Sequence, residues 1–81
     1  MRKKDDLLRR IVVDRRILAG KPVIKSTRVP VDEIIQRNAE GQAFEEVLED
    51  YPNIKRDDTR ASLEYAAGLV RAEDIIPEIR S

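Results

Sequence analysis

The 81-residue chain contains no cysteine and no histidine. This excludes disulfides and thiolate metal sites and removes the commonest general base. With no glycine-rich phosphate loop either, an enzyme is the least favoured class, and no cofactor is expected. Tryptophan is missing, phenylalanine occurs once and tyrosine twice. The core must therefore be aliphatic, which is marginal for a domain of this size. Added stability from other chains is expected, as a homodimer, a higher oligomer or a complex. No apolar run is long enough to span a membrane, and none of signal type follows Met1-Arg2-Lys3-Lys4. A cytoplasmic protein is expected.

The net charge of zero hides a division along the chain. Residues 1–30 carry ten Lys or Arg against three Asp, whereas residues 31–81 carry six against thirteen acids. A basic first half suits phosphate and an acidic second half suits a basic protein, although soluble surfaces alone would account for both. Residues 1–10 read as a basic segment, either a mobile arm or a frayed first turn, whose Arg2, Lys3, Lys4, Arg9 and Arg10 could follow a nucleic-acid backbone.

The organising stretch is residues 20–31, Gly-Lys-Pro-Val-Ile-Lys-Ser-Thr-Arg-Val-Pro-Val. Pro22 and Pro30 lack the amide donor and the β-branched residues between them favour extended backbone, so a strand feeding a helix is expected. Ile11-Val12-Val13 is an earlier β run, and Gly20 can close the turn between the two with positive φ. Strand pairing within one chain or between copies both fit.

Helical spacing then predicts three helices. The first covers residues 31–40, with Val31, Ile34, Ile35 and Ala39 on one face and Gly41 as its stop. The second carries Phe44, Val47, Leu48 and Tyr51 and ends at Pro52. The third starts near Arg56 with Leu63, Ala66, Ala67 and Val70 inward, and Gly68 either ends or weakens it. The expected fold is mainly α: an N-terminal extended segment followed by a three-helix unit over residues 11–70. Its order and size match a helix-turn-helix domain. In that arrangement Lys55, Arg56, Thr59 and Arg60 sit at the exposed start of the reading helix, able to meet phosphates or base edges, while Asp57, Asp58 and Glu64 oppose DNA. The adjacent pairs Glu45-Glu46 and Asp57-Asp58 point in different directions on a helix and read as solvated faces rather than metal sites. Residues 71–81 form a tail that mixes acids with isoleucines around Pro77. The tail either packs on the domain or receives a partner.

Arg10-Ile11-Val12, Gly20-Lys21-Pro22-Val23-Ile24 and Thr27-Arg28-Val29-Pro30-Val31 occur here in one order and spacing. They are followed by Gly41, Glu45-Glu46-Val47-Leu48, Tyr51-Pro52-Asn53-Ile54 and Tyr65-Ala66. Through these motifs the chain resembles the DUF433 family, the small VapB-like antitoxins of bacterial and archaeal toxin–antitoxin modules. The family usually has Arg-Gly where Lys25-Ser26 stands, so no left-handed residue is expected there. It usually has Ser or Thr where Lys55 stands, so the third helix is expected to lose its cap or to borrow one from Asn53. The resemblance implies a homeodomain-like helix-turn-helix fold, a PIN-like ribonuclease toxin as partner, and binding to operator DNA. Lys21, Lys25, Thr27 and Arg28 would then contact phosphate. The competing account has this strand pack Val23, Ile24 and Val29 while Arg28 pairs with Glu33 or Glu46.

The leading expectation is an antitoxin that neutralises a PIN-like toxin and represses its own operon. Toxin contacts would come from Leu69, Val70, Arg71, Ile75, Ile76, Ile79 and Arg80, with Arg71 or Arg80 displacing metal from an acidic nuclease site. The alternatives are a self-associating structural module without a DNA role and a stand-alone DNA-binding regulator.

Overall fold

The computed structural model describes Lys3 to Ala72, with side chains from Asp6 onward. The order is α1 (Lys3–Leu8), β1 (Ile11–Val13), a 3-10 turn (Leu18–Gly20), β2 (Pro22–Ile24), α2 (Val31–Ala39), α3 (Phe44–Asp50) and α4 (Arg56–Ala72). The chain is thus mainly helical with a short N-terminal hairpin. Among the described residues, no helix is long and apolar enough to cross a membrane.

The hairpin pairs antiparallel, with Ile11 opposite Ile24 and Val13 opposite Pro22. Its connection passes through Leu18, Ala19 and Gly20 at φ 47°, 55° and 88°, so the expected positive φ at Gly20 spreads over three residues. The second strand is shorter than expected. It stops at Ile24, and residues 25–28 turn back so that the Ile24 amide donates to the Val29 carbonyl at 3.0 Å. The turn is held by Thr27, whose hydroxyl donates to the Ile24 carbonyl at 2.7 Å and accepts from the Val29 amide at 3.0 Å. Ser26 sits at its tip with φ 66°. The left-handed residue is therefore kept without glycine, because this tight a reversal requires it, and Ser26 adopts it with its Cβ crowding the following carbonyl.

Val23, Ile24, Val29, Val31, Ile34, Val47, Ile54 and Ala61 are buried and form the core between β2 and helices α2, α3 and α4. Helices α2 and α3 fall where the periodicity puts them, and Gly41 at φ 97° terminates the first. Two expectations do not hold. The segment read as a mobile arm forms α1, which packs on α4; its Leu7 and Leu8 are half-buried there. And α4 turns a different face inward: Asp58, Thr59, Ala61 and Ser62 are buried, whereas Leu63 and Val70 are 39% and 59% exposed. Gly68 neither ends nor breaks this helix. The small buried side chains let α4 approach its neighbours closely, and its hydroxyls bond to its own backbone. Thr59 donates to the Arg56 carbonyl and Ser62 to the Asp58 carbonyl, which removes the penalty for burying them.

Candidate functional site

The start of α4 has a cap that neither Lys55 nor Asn53 supplies. Asp58, three residues beyond Lys55, turns back and accepts the Lys55 amide proton at 2.8 Å, forming half of a capping box. Its other oxygen accepts from Arg10 Nη1 at 3.2 Å, so the first turn of α4 is joined to the segment between α1 and β1. Arg10 also lies 3.7 Å from Asp57, and its carbonyl accepts the Lys25 amide at 2.7 Å.

Around this junction lies an open groove of about 500 Å³, lined by Arg9, Arg10, Lys25 and Lys55 with Asp6 and Asp58 as its acids. Ser26 and Asn53 complete its wall. Arg9, Lys25 and Lys55 are exposed, and none of them makes an ion pair among the described residues. Arg28, at the end of the turn that carries Lys25, is likewise exposed and unpaired, and does not reach Glu33 or Glu46.

Lys21, Arg56 and Arg60 are engaged, while the side chains of Arg2, Lys3 and Lys4 lie outside the described ones. Lys21 Nζ meets Asp32 at 2.9 Å, and that contact holds the Asp32 carboxyl below the usual range. Arg56 donates to Glu45 at 2.8 Å and lies 5.6 Å from the centre of the Phe44 ring, which fastens the start of α4 to α3. Arg60 pairs with Asp57 at 3.2 Å. Thr59 is fully buried and Thr27 is occupied within its own turn, so neither presents a hydroxyl to a ligand.

Of the residues assigned to DNA, the structure thus brings Lys25 and Lys55 together and leaves Arg28 nearby in sequence and unpaired. Sequence reasoning places Arg9 in a loose arm and takes Asp58 as part of a solvated acidic pair that opposes DNA, whereas Asp58 is buried. The available signal was an acid three residues after the helix-capping position, a pattern that implies back-bonding. Of those assigned to a protein partner, Leu69 and Val70 are exposed, and Arg71 pairs with Glu64 at 3.4 Å. Leu69 and Tyr65 border two shallow grooves of about 370 and 240 Å³, the second walled by Pro22, Val31 and Ile35. Ile75, Ile76, Ile79 and Arg80 lie outside the described residues.

A second cluster joins α2 to the end of α3. The Tyr51 hydroxyl donates to Glu33 Oε2 at 2.6 Å, and the Arg37 guanidinium lies 4.9 Å from the ring centre while pairing with Asp50. The bond to Glu33, then burial, pushes the phenol above its ordinary value. All these groups are used on one another, so the cluster reads as a clasp.

A crystal structure of a DUF433 member protein from Anabaena variabilis superposes with a TM-score of 0.71 over 89% of this chain and 93% of that one, at 21% identity. That likeness establishes the shared fold. An uncharacterized protein of Archaeoglobus fulgidus is 60% identical over 25 residues, which are 31% of this chain and 69% of that protein. The profile of the family described as "Protein of unknown function (DUF433)" matches residues 11–66, from β1 through the buried turns of α4. With most of its length matched by that profile, and with a fold shared with a solved member, the chain belongs to the DUF433 family.

Proposed function

We propose that this chain is a DNA-binding antitoxin: its basic groove holds the phosphate backbone of operator DNA, and its last helix and tail bind a PIN-like ribonuclease toxin. The groove carries the reading. Arg9, Lys25 and Lys55 arrive from three separate segments at one concavity and make no ion pair among the described residues, while Arg10, Lys21, Arg37, Arg56, Arg60 and Arg71 are all paired. Arg15 and Arg28 are exposed outside the groove and unpaired among the described residues, but a surface kept for solubility alone gains nothing from gathering three such cations in one concavity, whereas a phosphate backbone does.

The succession of α3, a short turn and α4 has the order of a helix-turn-helix unit, and Lys55 stands at the entry of its second helix. With Arg56 and Arg60 paired to acids, affinity on this reading comes mostly from phosphate contacts, and base readout is modest. The toxin half of the proposal is supported by the exposed Leu63, Leu69 and Val70 on α4, which lead into the isoleucines of the tail.

The test is fluorescence anisotropy on a duplex taken from upstream of the chain's own gene, over a range of salt. Affinity is expected to fall steeply with salt, and each of Arg9→Gln, Lys25→Gln and Lys55→Gln to reduce the log–log slope by about 1. Salt-independent or absent binding would remove DNA from the reading. Co-purification with a neighbouring ribonuclease tests the toxin separately, since a regulator without a toxin keeps the DNA result and loses the complex. A self-associating module, for which the exposed Val13 and Leu18 of the hairpin are the relevant observation, predicts a stable oligomer indifferent to both.

A further inference from the structure

We infer that Asp58 and Arg10 are positioning residues that assemble the groove for a phosphodiester backbone, acting through the segments that carry Lys25 and Lys55. The inference rests on the nucleic-acid reading above. A carboxylate at the margin of an anion-binding groove is an electrostatic liability, since its charge repels the ligand. Yet Asp58 is only 6% exposed, and both its oxygens are in use.

Its contacts form one continuous chain. The Lys25 amide donates to the Arg10 carbonyl, the Arg10 guanidinium to Asp58 Oδ1, and the Lys55 amide to Asp58 Oδ2, at 2.7, 3.2 and 2.8 Å. Lys25 and Lys55 are thus direct members of this chain, and Arg9 adjoins Arg10. The chain ties together a link after α1, a tight turn after β2 and the first turn of α4, segments as far as 48 residues apart. The longer Arg10–Asp57 pair, at 3.7 Å, joins the same link to α4 but does not reach the Lys55 amide. The free cations therefore hold their common geometry through a buried acid whose charge is already neutralised by Arg10.

The neighbouring acid supplies the control. Asp57 is half-exposed, pairs with Arg10 at 3.7 Å and with Arg60 at 3.2 Å, and makes no bond to Lys55. Neutralising either acid removes one negative charge from the first turn of α4, beside the groove that Asp58 lines. If electrostatics alone acts, Asp57→Asn and Asp58→Asn both tighten binding to the fluorescein-labelled duplex. If Asp58 positions the groove, Asp57→Asn tightens binding while Asp58→Asn weakens it about three- to tenfold, despite the loss of a negative charge.

Circular dichroism melts establish that each variant is folded at the assay temperature. Should Asp58→Asn melt too low, Arg10→Gln leaves the Lys55 cap intact. It is expected to weaken binding more than Arg9→Gln does, although Arg9 is the free cation and Arg10 the paired one. Tightening by Asp58→Asn, or a smaller effect at Arg10 than at Arg9, overturns the inference and leaves the DNA reading standing. Failure of the unmodified chain to bind the duplex in a salt-dependent way overturns both.

Discussion

Ser26 occupies the left-handed region at φ 66°, where a Cβ crowds the following carbonyl. Its side chain is exposed and makes no hydrogen bond among the described residues. Ser26→Gly is expected to raise stability by roughly 1 kcal/mol, seen in urea melts as a higher midpoint at unchanged m. An unaltered midpoint would mean that the serine is not strained there.

At Tyr51 the effect depends on pH. The bond to Glu33 raises the phenol's folded value above its ordinary 10.0. Below that ordinary value the folded and unfolded chains both keep the proton, and the contribution is fully present. As pH rises the unfolded chain ionises first, and the contribution is lost through the raised folded value. Tyr51→Phe should lower stability at neutral pH by about 1 kcal/mol and flatten the alkaline fall. Parallel alkaline melts of the two proteins would sink the idea if they fell equally.

Among the elements, α4 most clearly separates pattern from packing. Gly68 lies in mid-helix with no atom within 4 Å of the position its Cβ would take. Gly68→Ala is therefore expected to add about 1 kcal/mol by helix propensity alone, and thermal melts that show no gain would count against an uninterrupted helix there. The helix itself was legible, but its orientation was not. Hydropathy points Leu63 and Val70 inward, whereas the buried stripe is Asp58, Thr59, Ala61 and Ser62, residues whose burial depends on hydrogen bonds that no hydropathy pattern records.

Helices α2 and α3 were readable because Val31, Ile34 and Val47 are both apolar and buried. Helix α1 was not, since its six residues become helical only against α4. The site divides in the same way. Lys25 and Lys55 stand out as charges in short connections, whereas the Arg10–Asp58 pair that joins them crosses 48 residues of sequence, a distance over which local spacing says nothing.

At the scale of the whole molecule, the charge division of the sequence becomes partly an internal match. Arg10 and Lys21 from the basic half meet Asp57, Asp58 and Asp32 from the acidic half. Of the basic charge left over among the described residues, the groove displays Arg9, Lys25 and Lys55. The aliphatic core is small and shared by β2 and three helices, so none of these elements has an apolar interior of its own to fall back on. The packing of α1 on α4 gives the chain a history as well as a shape. On the ribosome, Arg10 emerges well before the carboxylate it is to meet. At about 5–20 residues per second the interval lasts several seconds. During that interval Arg10 lacks both of its carboxylates, Asp57 and Asp58, and stays an open cation in the company of ribosomal RNA. Closure therefore waits for α4, and a message cut short before that helix yields a chain whose Arg10 has no Asp58 to meet.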